Sequence, residues 1–185
     1  MPDMTQPNAH LFLHCPRCGK KTLDPDGRKS FACTACAFKF YLNCAAAAIG
    51  LIFRRDKKLL VTRRKHPPAR GMLDFPGGFA QPGETIEACM EREIKEELSI
   101  GISSMTYLFS LPNTYLYAGV RYDITDFVFL CRAEHPEDAV PGDDVADVLF
   151  MDINELDTVQ FGLESPKTVI ERLCSGKFDH IMPAR

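Results

Sequence analysis

The order of apolar and polar positions divides the chain into stretches of different rhythm. Residues 45–53 and 58–64 are short apolar runs of β-compatible side chains, separated by a charged turn at 54–57, a pattern that predicts a hairpin. Residues 65–72 read as a loop, with two prolines and Gly71. Paired glycines, Gly77 and Gly78, follow Leu73-Asp74-Phe75-Pro76, and Gln81-Pro82-Gly83 is a turn. Helix signals begin at Thr85, the expected N-cap, and end near Ser99-Ile100-Gly101. Strand patterns return at 102–110, 115–117 and 122–132, with a turn at Ala118-Gly119. An acidic loop at 133–144 precedes Val148-Leu149-Phe150, residues 152–156 cap the sheet, and 165–174 read as a last amphipathic helix with Ser165 as N-cap and Pro166 at the first helical position.

The phase of the first helix separates two populations of charge. At about 100° per residue, Ile86, Cys89, Met90 and Ile94 make one apolar stripe, and Glu93 and Glu97 continue it with Glu96 at its edge. Glu91 and Lys95 lie on the other side, spaced as an i,i+4 pair on a solvated face. Carboxylates on a buried stripe are costly unless paired. A divalent cation relieves that cost, and oxygen-only ligands favour Mg²⁺, or Mn²⁺, over zinc. Arg92 is placed to tie down an acid through a forked hydrogen bond.

Composition narrows the class. The chain has 185 residues, 45% of them apolar, enough for one compact domain and a small module. A formal charge of -3 and a pI near 6.0 argue against a wholesale electrostatic grip on nucleic acid, leaving room for a local basic patch. No apolar run reaches the ~18 residues of a membrane span, and MPDMTQPNAH has no secretory pattern, so the expected setting is cytoplasmic, with no membrane partner.

Eight cysteines in such a chain read as metal ligands and buried thiols rather than disulfides. Cys15-Pro16-Arg17-Cys18 and Cys33-Thr34-Ala35-Cys36 each point two thiolates at one place, and together they offer the tetrahedral set of a structural zinc. Ala37 stands where the second turn often carries glycine. Phe31, Phe38, Phe40 and Tyr41 are the expected packing, with metal standing in for a core too small to form alone. Cys44, Cys89, Cys131 and Cys174 are expected to be packing residues. The organisation is a tail at 1–10, a zinc ribbon at 11–43 and a larger domain at 44–185.

Gly78, Glu84, and Arg92-Glu93-Ile94-Lys95-Glu96-Glu97-Leu98-Ser99-Ile100 carry a family resemblance. They resemble the Nudix box, G-x5-E-x7-R-E-U-x-E-E-x-G-U with U aliphatic, at eight of its nine constrained positions; Ser99 replaces the late glycine. The resemblance implies an α/β fold, the Nudix α/β/α sandwich with a mixed sheet, and Mg²⁺-dependent hydrolysis of a nucleoside diphosphate linked to another group. It assigns Glu93, Glu96 and Glu97 to the metal. Glu93 or a hydroxide from metal-held water is the route to the nucleophile, with the base left open. Gly77 would offer a carbonyl to the metal, Glu84 an outer ligand or a brace for the loop, and Asp144, with Asp147 behind it, a further acid.

A zinc ribbon before such a domain resembles the NADH pyrophosphatase branch, which implies a dinucleotide substrate such as NADH and a homodimer. That branch has a Ser-Gln-Pro-Trp type motif after the box. Here Ser110-Leu111-Pro112-Asn113-Thr114-Tyr115 stands at the corresponding distance, matching the serine and proline only, with no tryptophan in the chain. Asn113 and Tyr115 are therefore the substrate-binding candidates, with Tyr117 as a second ring that could stack on a base. ADP-ribose or another nucleotide sugar is the alternative substrate. A zinc-ribbon protein that binds nucleic acid, or a sensor using a Nudix domain, is the alternative of another class.

Overall fold

The computed structural model describes residues 6–176 and 178. Parts of the tail and of the C-terminal end of the larger domain, residues 1–5, 177 and 179–185, lie outside these. Among the described residues, those up to Ala45 together with Thr114–Ile124 form one compact unit, and Ala46–Asn113 with the residues from Thr125 onward form the other.

The first unit contains a three-stranded antiparallel sheet, β1 (Leu23–Pro25), β2 (Ser30–Cys33) and β3 (Lys39–Tyr41). Its apolar centre is Cys15, Leu23, Phe31 and Cys33, with Phe12, Phe38 and Phe40 against it. Phe12 and Phe31 have ring centroids 5.4 Å apart, a tilted pair. Tyr41, expected in this packing, is instead half exposed, because alternation on β3 turns it away from Phe40. The 114–124 segment joins this unit through Asn8, whose Nδ2 donates to Arg121 O at 2.7 Å while its Oδ1 accepts from Arg121 N at 2.9 Å.

The second unit holds two helices and two sheets, apart from the 114–124 stretch of one sheet, which belongs to the first unit. β4 (Ala45–Ile52), β7 (Gly77–Phe79), β8 (Ile102–Tyr117) and β9 (Val120–Ala133) make a four-stranded sheet in the order β7-β4-β9-β8. β5 (Leu59–Arg64), β6 (Leu73–Asp74) and β10 (Val145–Met151) make a three-stranded one in the order β10-β5-β6. The expected β4–β5 hairpin is thus corrected. The chain reverses at the predicted turn, but the two strands enter different sheets and meet at the single bridge Phe53–Leu59. The expected break between 110 and 115 is also absent, since β8 runs straight through Pro112. Lying at the sheet edge, it can spare that residue's amide.

Period-two alternation lets both faces be buried. Ile49 and Leu51 of β4, Leu59 and Val61 of β5, and Val128 and Leu130 of β9 belong to one cluster, with Val169, Ile170 and Leu173 of α2 (Glu164–Cys174). Ala48, Ile52, Leu60, Phe129 and Cys131 belong to the other, with Cys89, Met90, Ile94 and Leu98 of α1 (Ile86–Leu98). The intervening residues of the same strands therefore serve opposite faces, each covered by a helix. Burial of Met90, Ile94 and Leu98 contributes about 1.5–3 kcal/mol per side chain to seating α1. Gly50 lets the helix approach closely, for a Cβ there would lie 3.1 Å from Met90 Cε.

α2 starts two residues earlier than its sequence pattern implies. Its N-cap is Leu163, without a side-chain bond, and Ser165 lies inside the first turn, buried. The Ser165 hydroxyl is drawn away from capping because it donates to the buried carboxylate of Asp126 on β9.

Candidate functional site

Thr85 caps α1 by accepting from Ala88 N at 3.1 Å. The helix ends at Ser99, whose φ of 58° is left-handed and whose amide donates to Lys95 O at 3.0 Å. Glycine takes this C-cap conformation with less strain, and serine adopts it here. The acidic loop does more than expose charge. Val140 N donates to Leu98 O and Gly142 N to Glu97 O at 2.8 Å, satisfying carbonyls at the end of the helix. A Cβ on Gly142 would meet Glu96 O at 2.2 Å, so this close cover needs glycine.

The helix faces separate as their phase implies: Glu93 and Glu97 are half-buried, while Glu96, Glu91 and Lys95 are exposed. Among the described residues Glu91 and Lys95 form no ion pair with one another. Glu93 packs beneath the glycine loop, where a Cβ on Gly78 would stand 2.4 Å from Glu93 Oε1. Glu97 Oε2 accepts from Gly77 N at 3.0 Å. Gly77 itself has φ 150°, and a Cβ there would collide with Ala48 O at 2.0 Å. The paired glycines thus allow the strand to lie directly on the two inner glutamates.

Arg92 organises the acids. Its Nε and Nη2 take both oxygens of Glu84, at 2.9 and 3.0 Å, in a fork. Nη1 donates to Glu93 Oε1 at 2.7 Å and Glu96 Oε2 at 3.0 Å, and Nη2 also reaches Phe79 O at 3.0 Å. Glu84 further accepts from Gln81 N at 2.9 Å, closing the turn that leads into the helix. The forked bond to Arg92 holds the Glu84 carboxyl below its usual range.

Burial pushes Glu97 up to about 8, against the opposing Gly77 amide and with help from the charges of Glu93, Asp74 and Asp144. Burial also raises Glu93, with Arg92 working the other way. Two carboxylates with raised values on one helix face are suited to holding a cation, which would replace the missing counter-charge. Among the described residues, the three glutamates do not bring their ligand atoms within 4.8 Å of one another; Arg92 draws Glu93 and Glu96 toward itself, while Gly77 holds Glu97.

Asp144 is exposed on the loop before β10, with His66 Nε2 at 3.8 Å, and Asp147 is occupied by its neighbour Val148 N. Asn113 donates to Asp126 Oδ2 at 2.9 Å. Tyr115, which belongs to the first unit, is stacked with Tyr117 at 6.3 Å between centroids. Sequence reasoning passed over Asp74 and Asp126. Asp74 is paired with Arg64 Nη1 at 2.6 Å, and burial raises both carboxyls. An acid three residues before paired glycines was the available signal for Asp74.

The four ribbon cysteines do converge. Cys15, Cys18, Cys33 and Cys36 place their sulfurs within 4.8 Å of one another, with Cys15–Cys36 and Cys18–Cys33 each at 3.7 Å. Four thiolates about a zinc with ~2.3 Å bonds would be spaced about 3.8 Å apart, so the set is compatible with a structural zinc. Thr22 Oγ1 lies 3.2 Å from Cys33 Sγ, and this contact lowers the thiol to about 6. Gly19 and Ala37 take the equivalent left-handed positions after each pair, at φ 73° and 58°. Of the other cysteines, Cys89 and Cys131 are buried as expected, whereas Cys44 and Cys174 are exposed.

Residues 44–173 match the NUDIX domain family. An ADP-ribose pyrophosphatase of Methanocaldococcus jannaschii is 33% identical over 129 residues, covering 69% of this chain and 73% of that protein. An NAD-capped RNA hydrolase NudC of Chromobacterium violaceum is 29% identical over 180 residues, 94% of this chain; the chain spans 60% of that relative's length. The NUDIX hydrolase from Nitrosomonas europaea shares the fold at 20% identity and a TM-score of 0.64, covering 92% of this chain and 94% of the other. No helix among the described residues is long and apolar enough to cross a membrane.

Proposed function

The chain belongs to the Nudix family and is a Nudix pyrophosphohydrolase; from that premise we propose that it hydrolyses a nucleoside diphosphate linked to a second group, a dinucleotide such as NADH foremost. The observation that carries the site is the pair of inward glutamates pressed against the glycine loop, Glu93 beneath Gly78 and Glu97 on the amide of Gly77.

The metal would be Mg²⁺ or Mn²⁺, held by Glu93, Glu96 and Glu97, with the Gly77 carbonyl and Asp144 as further candidates. Their oxygen-only chemistry suits a hard cation, and Glu97 is a half-buried acid that accepts a hydrogen bond from the neutral amide of Gly77. Such an ion, when bound, neutralises diphosphate oxygens and makes water easier to deprotonate. Around it, Arg92 fixes the carboxylates of Glu84, Glu93 and Glu96 in place, and Glu84 braces the turn before the helix. Glu93, carrying a raised value next to the glycines, is the candidate base. Gly77 and Gly78 keep the strand close enough for its backbone to face the substrate. Zinc in the four-cysteine set would be structural, standing in for a core in the ribbon.

Two observations bear on the substrate. Similarity to the NudC relative extends over 94% of this chain, the ribbon included, which favours a dinucleotide or a capped strand carrying one. Asn113 has a hydrogen bond to Asp126, and the neighbouring motif departs from the NADH branch, which favours ADP-ribose, the substrate in the name of the other relative. Turnover of NADH, NAD, ADP-ribose, diadenosine polyphosphates, nucleoside triphosphates and NAD-capped RNA with Mg²⁺ discriminates among these. Glu97→Gln should abolish release of AMP while leaving the fold intact. Failure of the whole panel, together with steeply salt-dependent nucleic-acid binding, would favour the binding-protein reading.

A further inference from the structure

Residues 114–124 carry the β8–β9 hairpin past the part of it that packs into the apolar clusters. Within this stretch Ile124 alone is buried, while Leu116, Tyr117 and Tyr122 are exposed. The stacked Tyr115 and Tyr117, and Arg121 at 3.9 Å from Asp123, are contacts within the hairpin itself. A two-stranded hairpin without an apolar face is marginal in water. Its order depends on what it is tied to.

Asn8 supplies a tie. Its side chain is 1% exposed, and both ends of its amide are spent on one residue 113 positions away: Nδ2 donates to Arg121 O at 2.7 Å, and Oδ1 accepts from Arg121 N at 2.9 Å. A neighbouring strand would offer this same pair of bonds. Asn8 is fixed in turn by the ribbon. Its backbone amide donates to Gln6 Oε1 at 3.1 Å, and Gln6 Nε2 donates to Arg28 O on the turn between β1 and β2. Asn8 O accepts from Leu11 N at 2.9 Å, and Phe12, one residue further on, has its ring centroid 5.4 Å from that of Phe31 and 5.9 Å from that of Phe40.

The ribbon that seats Phe12 has little core of its own. Two of its four buried apolar residues, Cys15 and Cys33, belong to the four-cysteine set, so its fold depends on that set being held together. At the other end of the hairpin, Asn113 donates to Asp126 Oδ2 at 2.9 Å and closes the two strands just beyond the 114–124 stretch. Resting on the zinc reading above, we infer that Asn8 makes the order of the 114–124 hairpin depend on metal in the four-cysteine set, the hairpin being a strap that is fastened when the ribbon is folded and released when it is not.

Hydrogen exchange followed by mass spectrometry on the full chain tests this, with zinc bound, after a zinc chelator, and after zinc is added back. In the wild type, chelation should speed exchange in 114–124 together with that in β1, β2 and β3, roughly tenfold to a hundredfold, while α1 keeps its protection. Added zinc should reverse the change. Asn8→Ala should separate the two events: zinc content and protection of the ribbon strands stay, and 114–124 exchanges faster by that same factor with metal bound. Asn8→Asp, which keeps an acceptor for the Arg121 amide but sets an oxygen against its carbonyl, should behave like the alanine variant. Hairpin protection that survives chelation while the ribbon strands lose theirs overturns the inference, and so does a zinc-bound Asn8→Ala whose hairpin is as protected as in the wild type. Loss of α1 protection on chelation makes the unfolding global and overturns it as well. If neither variant retains zinc, the wild-type chelation series decides alone. A wild type that carries no zinc, and whose hairpin exchange ignores added zinc, sinks the zinc reading and this inference with it.

Discussion

The carboxylate of Glu93 occupies the space that a side chain on Gly78 would need. A Cβ at Gly78 would lie 2.4 Å from Oε1 and 2.6 Å from Cδ. Gly78→Ala must therefore move either the strand or the acid. Displacement of an active-site group by about 1 Å can cost on the order of a hundredfold in rate, and Gly78→Ala is expected to reduce kcat by that order. Steady-state kinetics beside a thermal melt checks this; full activity at normal stability would separate Glu93 from the chemistry.

Replacing Arg92 with lysine keeps the charge and loses the fork. Lysine cannot take both oxygens of Glu84 while holding Glu93 and Glu96. The variant should lose about 1–3 kcal/mol in urea unfolding, the scale of a broken charged hydrogen-bond set. Its kcat should fall as Glu93 and Glu96 lose their common anchor. Unchanged unfolding would show that the fork contributes nothing to stability.

Metal affinity should depend on pH through Glu97. Its folded value of about 8 lies above the ordinary 4.5, so its contribution to metal-free stability is fully present below about pH 4.5 and is lost as pH rises through about 8. Cation binding needs the deprotonated acid and should release a proton below that value. The rise in melting temperature on adding Mg²⁺ is expected to be larger at pH 8.5 than at pH 6, and Glu97→Gln should remove most of the difference. A Mg²⁺ effect that is flat with pH in the wild type would contradict this linkage.

The ribbon should contain one zinc per chain when purified under reducing conditions. Cys33→Ser should abolish that content, and a strong chelator should melt the three-stranded sheet, since Cys15 and Cys33 form half of its buried apolar centre. Elemental analysis with circular dichroism reads both. Full folding without bound metal would identify the four sulfurs as packing residues.

Ser165→Ala leaves Asp126 buried with a weaker donor set, Asn113 remaining. A loss of about 1–3 kcal/mol is expected from an incompletely satisfied buried acid. Because burial raises Asp126, the loss should be greater at pH 8 than at pH 3.5, below the ordinary value of 3.8, where protonation relieves the unpaired charge. Denaturant unfolding at the two pH values tests this, and an equal loss at both would place the cost in packing.

Much of the candidate site was legible because it is local. Thr85, Glu93, Ile94 and Glu97 lie on one helix, and a 3.6-residue period determines which of them face inward without knowing against what. Asn113 was not legible in the same way. Its place after the box marked it for substrate, whereas its amide donates to Asp126, thirteen residues away on the neighbouring strand. Ser165 was misjudged for the same reason: a capping motif competes with a long-range acceptor, and the buried carboxylate wins because Asn113 alone would leave it short of donors.

By itself the sequence determined the helix, its buried stripe, the paired glycines before it and the two cysteine turns, all set by spacing within a few residues. Tertiary structure alone decided that β4 and β5 part into separate sheets and that Arg92 spends its donors on Glu84, Glu93, Glu96 and the Phe79 carbonyl. Alternation shows that a strand has two faces to bury, but not which strand lies beside it. Hydrogen-bond partners distant in sequence are chosen by which groups the packed core brings within about 3 Å.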